Sequence, residues 1–163
     1  MRFCALCFLL LSCLWLPGVA VALEKGEPMP VFSAQALDGQ PIDLQQVVGK
    51  KPVVLVFWAS WCPSCKSEVP KLNRLVAKYA PKGAVFLGVN IGANDSPERA
   101  RVFMQKTGMS YPVIFDQDSS VTRRYRVQGV PTIVVANKSG RVVSQEHQVT
   151  EHLEQELGKL LKH

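Results

Sequence analysis

Six consecutive apolar residues, Val53-Val54-Leu55-Val56-Phe57-Trp58, constrain the architecture more than any other segment. A strand with one wet face alternates apolar and polar side chains, and this run offers water no polar position. Lys51 to Trp58 is therefore expected at the centre of a sheet covered on both faces. A helical pattern begins soon after it, with Val69, Leu72, Leu75, Val76 and Tyr79 at the 3.6-residue spacing of one packed face. Pro70 lies inside that helix and is expected to kink it, because its ring clashes with the carbonyl four residues back. Between strand and helix stands Trp61-Cys62-Pro63-Ser64-Cys65, so a C-x-x-C pair occupies a strand-to-helix corner. A thiol there faces unpaired backbone N–H groups and the positive end of the helix dipole, which favours the thiolate. The pair reads as a thiol–disulfide redox site.

The first residues decide how the other cysteines count. Arg2 is a short positive n-region, Phe3 to Leu16 is uncharged and apolar, and Pro17-Gly18 breaks the run before Ala20-Val21-Ala22, an A-x-A cleavage pattern. Residues 1–22 are read as a signal peptide, with an uncleaved anchor as the rival, since the uncharged stretch reaches Leu23 and is about long enough to cross a bilayer. A lipobox at Leu10-Leu11-Ser12-Cys13 fits poorly, because Leu11 is large for its place and apolar residues continue beyond it. Cys4, Cys7 and Cys13 all lie in the leader, which leaves Cys62 and Cys65 as the thiol chemistry of residues 23–163. Export implies a compartment where disulfides persist. About 140 residues also suffice for a hydrophobic core without a structural disulfide. Loss of Arg2 takes the formal charge from +6 to +5, with acids interspersed and no long basic run, so no nucleic-acid partner is inferred.

Along residues 23–163, Glu24 to Pro30 is an irregular lead-in, Val31 to Leu37 a short strand, Asp38-Gly39 a turn and Pro41 to Val48 a second extended segment. Ala84 to Ile91 is a strand, Asp95-Ser96-Pro97 opens a helix to Thr107, and Tyr111 to Phe115 is again a strand. This alternation implies parallel crossovers. Ser119 to Tyr125 reads as a short helix and Pro131 to Ala136 as a strand. Asn137 to Gly140 is a turn, and Arg141 to Gln145 is the antiparallel hairpin partner. Thr150 can cap a last helix whose early Glu151 and Glu154 and late Lys159 and Lys162 match its dipole. Leu153, Leu157, Leu160 and Leu161 are its expected buried stripe. No repeat or linker divides the chain, so 23–163 is expected to be one domain.

Strand, W-C-x-x-C, helix with internal proline, a later Val130-Pro131-Thr132 entering a strand, and a closing hairpin and helix together resemble the thioredoxin superfamily. Phe57 to Pro70, with its W-C-x-x-C-x-x-E-x-P pattern, is similar to the extracytoplasmic thiol:disulfide reductases of the TlpA/ResA-like type, which are associated with cytochrome c maturation. The resemblance implies an α/β thioredoxin-like fold: a central mixed sheet flanked by helices, an N-terminal extension and an inserted αβ unit. It implies Cys62 as an exposed attacking nucleophile and Cys65 as the resolving thiol. Glu68, three residues on and on the same helix face, is the candidate base for Cys65. Cytoplasmic thioredoxins carry a buried aspartate in the preceding strand, where this chain has Val56, so the burden shifts to Glu68. The bland alternative for Glu68 is a surface acid favouring the first helical turns. The resemblance further implies a cis Val130–Pro131 bond facing the disulfide, with Val130 backbone free to pair with an extended substrate. Trp61, Pro63 and Ser64 complete the expected substrate surface, and Trp58 is expected in the core.

The implied partners are a protein disulfide substrate and a membrane thiol-transporting reductase as electron donor, with a membrane tether if the leader is retained. No cofactor beyond the Cys62–Cys65 disulfide and no metal is expected. Three rivals stand beside this. Cys62-x-x-Cys65 with His147-x4-His152 matches zinc-ligand spacings, but the gap between the pairs is far longer than a small zinc module needs. A periplasmic copper-binding protein on the same fold could use the two thiolates and His147, although copper chaperones of this kind usually separate their cysteines by three residues. A thiol oxidase would use the same pair in the other direction. A peroxidase fits poorly, because Trp61-Cys62 does not resemble a peroxidatic setting.

Overall fold

The computed structural model describes residues 22–162. All of the leader except Ala22 therefore lies outside the described residues. Among those described, no helix is long and apolar enough to cross a membrane.

A five-stranded sheet carries the molecule, in the order β5-β4-β3-β6-β7. The strands are β3 (Val53–Trp58), β4 (Val85–Asn90), β5 (Val113–Phe115), β6 (Thr132–Ala136) and β7 (Val142–Glu146). A separate antiparallel pair, β1 (Ser33–Gln35) and β2 (Pro41–Asp43), precedes them. β1 to β6 are each shorter than the sequence suggests, because the flanking residues leave the ladder for turns, while β7 keeps the expected length and starts one residue later. β3 runs parallel to β4 and antiparallel to β6. β4 runs parallel to β5, and β7 closes antiparallel on β6 with an irregularity at Val135/Ala136. The βαβ half and the ββα half are thus joined in one mixed sheet. Helix α2 (Pro97–Thr107) and β5 form the inserted αβ unit between them, followed by the short α3 (Ser120–Arg124).

β3 occupies the centre, as its composition requires, and its pleat divides the core. Val53, Leu55 and Phe57 face one side with Met29, Phe32, Leu44 and Tyr125. Val54 and Val56 face the other, against Leu72, Leu75 and Tyr79 of α1 (Pro63–Tyr79) and Leu153 and Leu157 of α4 (Glu151–Leu160). Each such fully buried aliphatic side chain contributes about 1.5–3 kcal/mol. α1 continues through Pro70 to Tyr79. α4 starts at the Thr150 cap, whose hydroxyl accepts from Leu153 N–H at 3.1 Å. Of the expected stripe, Leu160 and Leu161 are only partly buried, since the helix ends there and its last turn meets solvent.

The N-terminal extension is tied down rather than loose. Gly26 N–H donates to Val142 O (2.7 Å), Met29 N–H to Gly140 O (2.8 Å), and the buried Tyr125 hydroxyl to Pro30 O (2.6 Å). At the other end of β3, Trp58 stacks on Phe103 of α2, with ring centroids 4.7 Å apart and planes at 28°. Gly88 of β4 makes room for this, since a Cβ there would lie 2.8 Å from Val113 and 3.1 Å from the Trp58 indole nitrogen. The inserted helix is thereby locked beside the C-terminal end of β3, where the cysteines follow.

Candidate active site

The chain leaves β3 through Ala59-Ser60-Trp61 and enters α1 with Cys62 as the N-cap residue. Cys62 and Cys65 are joined in a disulfide. Cys65 N–H donates to Cys62 Sγ at 3.1 Å, so a first-turn amide of α1 already points at the sulfur. The Ser64 hydroxyl lies 3.3 Å from the same sulfur. The expected exposure of Cys62 is corrected: the residue is only 4 % exposed. Val130 covers it, its carbonyl oxygen 3.6 Å from Sγ, and Cys62 and Cys65 pack in the apolar cluster of Trp58, Val69 and Phe103.

The Val130–Pro131 peptide bond is cis. The Thr132 hydroxyl braces this loop by donating to Gly129 O at 2.7 Å. His147 Nδ1 lies 3.0 Å from Pro131 O. A carbonyl only accepts, so Nδ1 carries the hydrogen in that bond. His152 instead contacts Glu146 at 3.0 Å, so the two histidines of the zinc spacing serve different partners. Among the described residues no group of three or more His, Cys, Asp or Glu side chains could hold a metal ion.

Trp61 is 49 % exposed beside Cys62, and its indole N–H is tied to Ala93 O at 2.9 Å. Pro63 and Ser64 are exposed on the first turn of α1. Glu68 is buried, 4 % exposed, which rules out the surface-acid alternative. One carboxylate oxygen pairs with Lys71 at 2.6 Å and the other accepts from Val149 N–H at 2.7 Å, so each oxygen has a partner other than the sulfurs. Val56 is buried under this region in β3, paired with Gly88 and Ile133.

A second carboxylate, with a fully covered side chain, was not foreseen. Asp95 receives Ser60 N–H and Ser60 Oγ–H, each at 2.6 Å, the Asn90 amide at 2.8 Å and Ser96 N–H at 2.9 Å. Arg99 adds an ion pair at 3.6 Å. Burial by itself would raise the Asp95 carboxyl, but the hydrogen bonds from Asn90, Ser60 and Ser96 outweigh it and hold the group below the usual carboxylate range. Ser60 is two residues before Cys62, so Asp95 fixes the path into the redox corner. In the sequence, Asp95-Ser96-Pro97 is visible only as a helix start. The sole further hint is that Asn90 ends β4 while Ser60 lies two residues beyond the end of the adjacent parallel strand β3.

Residues 24–161 match the profile of the Redoxin family. The chain belongs to the Redoxin family. It is 30% identical over 140 residues to the thiol-disulfide oxidoreductase ResA of Halalkalibacterium halodurans, covering 85% of this chain and 78% of that protein. It is 32% identical, over 85% of this chain and 79% of the relative, to ResA of Bacillus thuringiensis. A crystal structure of a secreted Mycobacterium tuberculosis disulfide oxidoreductase homologous to Escherichia coli DsbE superposes with a TM-score of 0.66 at 27% identity, covering 79% of this chain and 96% of the other. With the Cys62–Cys65 disulfide in a thioredoxin-like fold, this Redoxin chain is a thiol:disulfide oxidoreductase.

Proposed function

We propose that the chain is an exported reductase that transfers two electrons from its Cys62–Cys65 dithiol to disulfides of extracytoplasmic proteins, with cytochrome c maturation as the process served. The observation that carries this reading is the pair at the α1 N-terminus, with Cys65 N–H directed at Cys62 Sγ. That amide and the helix dipole stabilise a Cys62 thiolate once the pair is reduced. The signal-like leader and the similarity to a secreted oxidoreductase support export. The resident disulfide is the only redox group required.

In the first step the Cys62 thiolate attacks one substrate sulfur. The substrate S–S bond breaks, a mixed disulfide forms, and the departing thiolate takes up a proton. In the second, Cys65 gives its proton to Glu68, through water, and its thiolate attacks Cys62 Sγ. The mixed disulfide breaks and the Cys62–Cys65 bond forms. The second substrate sulfur leaves and is protonated, so the substrate ends as a dithiol and the protein as a disulfide. Val130 and cis-Pro131 hold the substrate backbone beside Cys62, while Trp61, Pro63 and Ser64 form the contact surface around it. A membrane thiol-transporting reductase restores the dithiol by the same exchange in reverse.

Equilibration against dithiothreitol or glutathione tests the direction. A reduction potential at or below about −270 mV is expected, whereas a value near about −120 mV, typical of a strong oxidant, would overturn the reductase assignment.

A further inference from the structure

Among the described residues, two large hydrophobic side chains are exposed, Trp61 and Val102, the latter at 47 %. They flank one surface. A groove lined by Trp61, Cys62, Lys66, Phe103 and Lys106 opens at the redox corner. It continues along α2 into one lined by Ser60, Val102, Phe103 and Lys106. Its floor is apolar, formed by the Phe103 ring that stacks on Trp58. A monomer gains nothing by leaving two large apolar side chains in water along a single groove that ends on a reactive sulfur.

The charges along the groove point to what fills it. Arg99 is offset by Asp95 at 3.6 Å, and the Glu98 carboxylate lines the groove only in its α2 part, not in the part that opens at Cys62. Lys66 and Lys106 remain. Among the described residues neither ammonium group has a hydrogen-bond or ion-pair partner. The groove thus presents an apolar floor between two uncompensated cations, next to Cys62.

We propose that the groove between the redox corner and α2 is the docking surface for the protein substrate. It takes an extended segment with an apolar side chain beside the reacting cysteine and acidic residues flanking it. This rests on the reading of Cys62 as the attacking sulfur. It places substrate selection on the inserted αβ unit, in addition to the cis-proline loop. Opposite charge on the partner raises the encounter rate, and salt screens that gain.

The test uses the purified full chain carrying Cys65→Ser, which stops at the mixed disulfide, with Cys4, Cys7 and Cys13 also replaced by serine so that Cys62 is the sole thiol. Two disulfide-linked peptides share a phenylalanine beside the cysteine and differ only in flanking aspartates or lysines. Each rate of capture by Cys62 is divided by that peptide's rate with dithiothreitol, to remove differences in intrinsic reactivity. At low ionic strength the aspartate peptide is expected to be favoured about tenfold, with the preference fading in molar salt. Adding Lys106→Glu is expected to bring the ratio to about one or below, while Lys50→Glu, at the opposite end of β3, leaves it at about ten. A ratio of one without Lys106→Glu, or an equal loss with Lys50→Glu, would overturn the proposal. Capture has no net direction, so an oxidising potential would defeat the reductase reading and leave this ratio standing.

Discussion

Two buried carboxylates lie on opposite sides of the redox corner, and they are held in different ways. Asp95, in the loop after β4, is saturated: four N–H or O–H donors and Arg99 converge on it. Glu68, in α1, has one backbone amide and one lysine. Every Asp95 partner stabilises the ionised form, and most of them are rigid backbone or strand-end groups. Glu68 has fewer donors, and its lysine reaches in from a half-exposed position. Burial alone therefore does not mark a proton acceptor. The number and stiffness of the donors separate a carboxylate that braces the chain from the one proposed as the proton acceptor.

Asp95→Asn should produce the largest effect. The amide retains one acceptor oxygen and points an NH2 group at donors, so at least one buried N–H or O–H loses its partner. The expected cost is about 3 kcal/mol, read from urea denaturation. Because folding lowers the Asp95 carboxyl, its contribution is present above the ordinary carboxylate range and is lost as pH falls through the lowered folded value. The stability gap between wild type and Asp95→Asn should be full above about pH 4 and close in stronger acid. A constant gap at all pH values would mean that the geometry of the side chain matters and its charge does not.

Glu68→Gln should cost little in stability but slow resolution of the mixed disulfide by about tenfold at neutral pH, some 1.4 kcal/mol in barrier. That is less than the hundredfold or more usual for a general base, because water can accept the Cys65 proton instead. Stopped-flow measurement of substrate release across pH, together with titration of Cys62 and Cys65, checks it. If both pH profiles match wild type, Glu68 takes no part in proton transfer and the contrast with Asp95 is only one of packing.

Much of this arrangement could be read from the chain, for a definite reason. Uniform apolarity places β3 at the centre of the sheet, and helical spacing sets the packed face of α1. Ser96, Thr150 and the prolines mark helix starts whose signals are local. What the sequence hides is the approach of distant segments. That Val130, 68 positions later, covers the Cys62 sulfur is legible only through the family resemblance, which sets Val130–Pro131 facing the disulfide, and not from the residues near Cys62. Nothing near Glu68 shows that Val149 N–H reaches it from 81 positions away. Asp95 is legible as a helix start, while its grip on Ser60 depends on the parallel pairing of β3 and β4, which brings the ends of the two strands together.

The smallest effect separates the two carboxylates most directly. Lys71 is 39 % exposed at its side chain, so removing its charge by Lys71→Met should change stability by less than about 1 kcal/mol. The pairing nevertheless supplies the only side-chain cation found against Glu68 among the described residues. Without it Glu68 keeps the Val149 amide as its remaining partner and is less firmly placed beside Cys65. Resolution of the mixed disulfide at neutral pH should therefore slow by about threefold. The matching change on the other side, Arg99→Met, should leave that rate unchanged, because Asp95 keeps its four closer donors. Equal slowing by the two substitutions would show that both carboxylates act through the general field at Cys62, and the distinction between brace and base would fail.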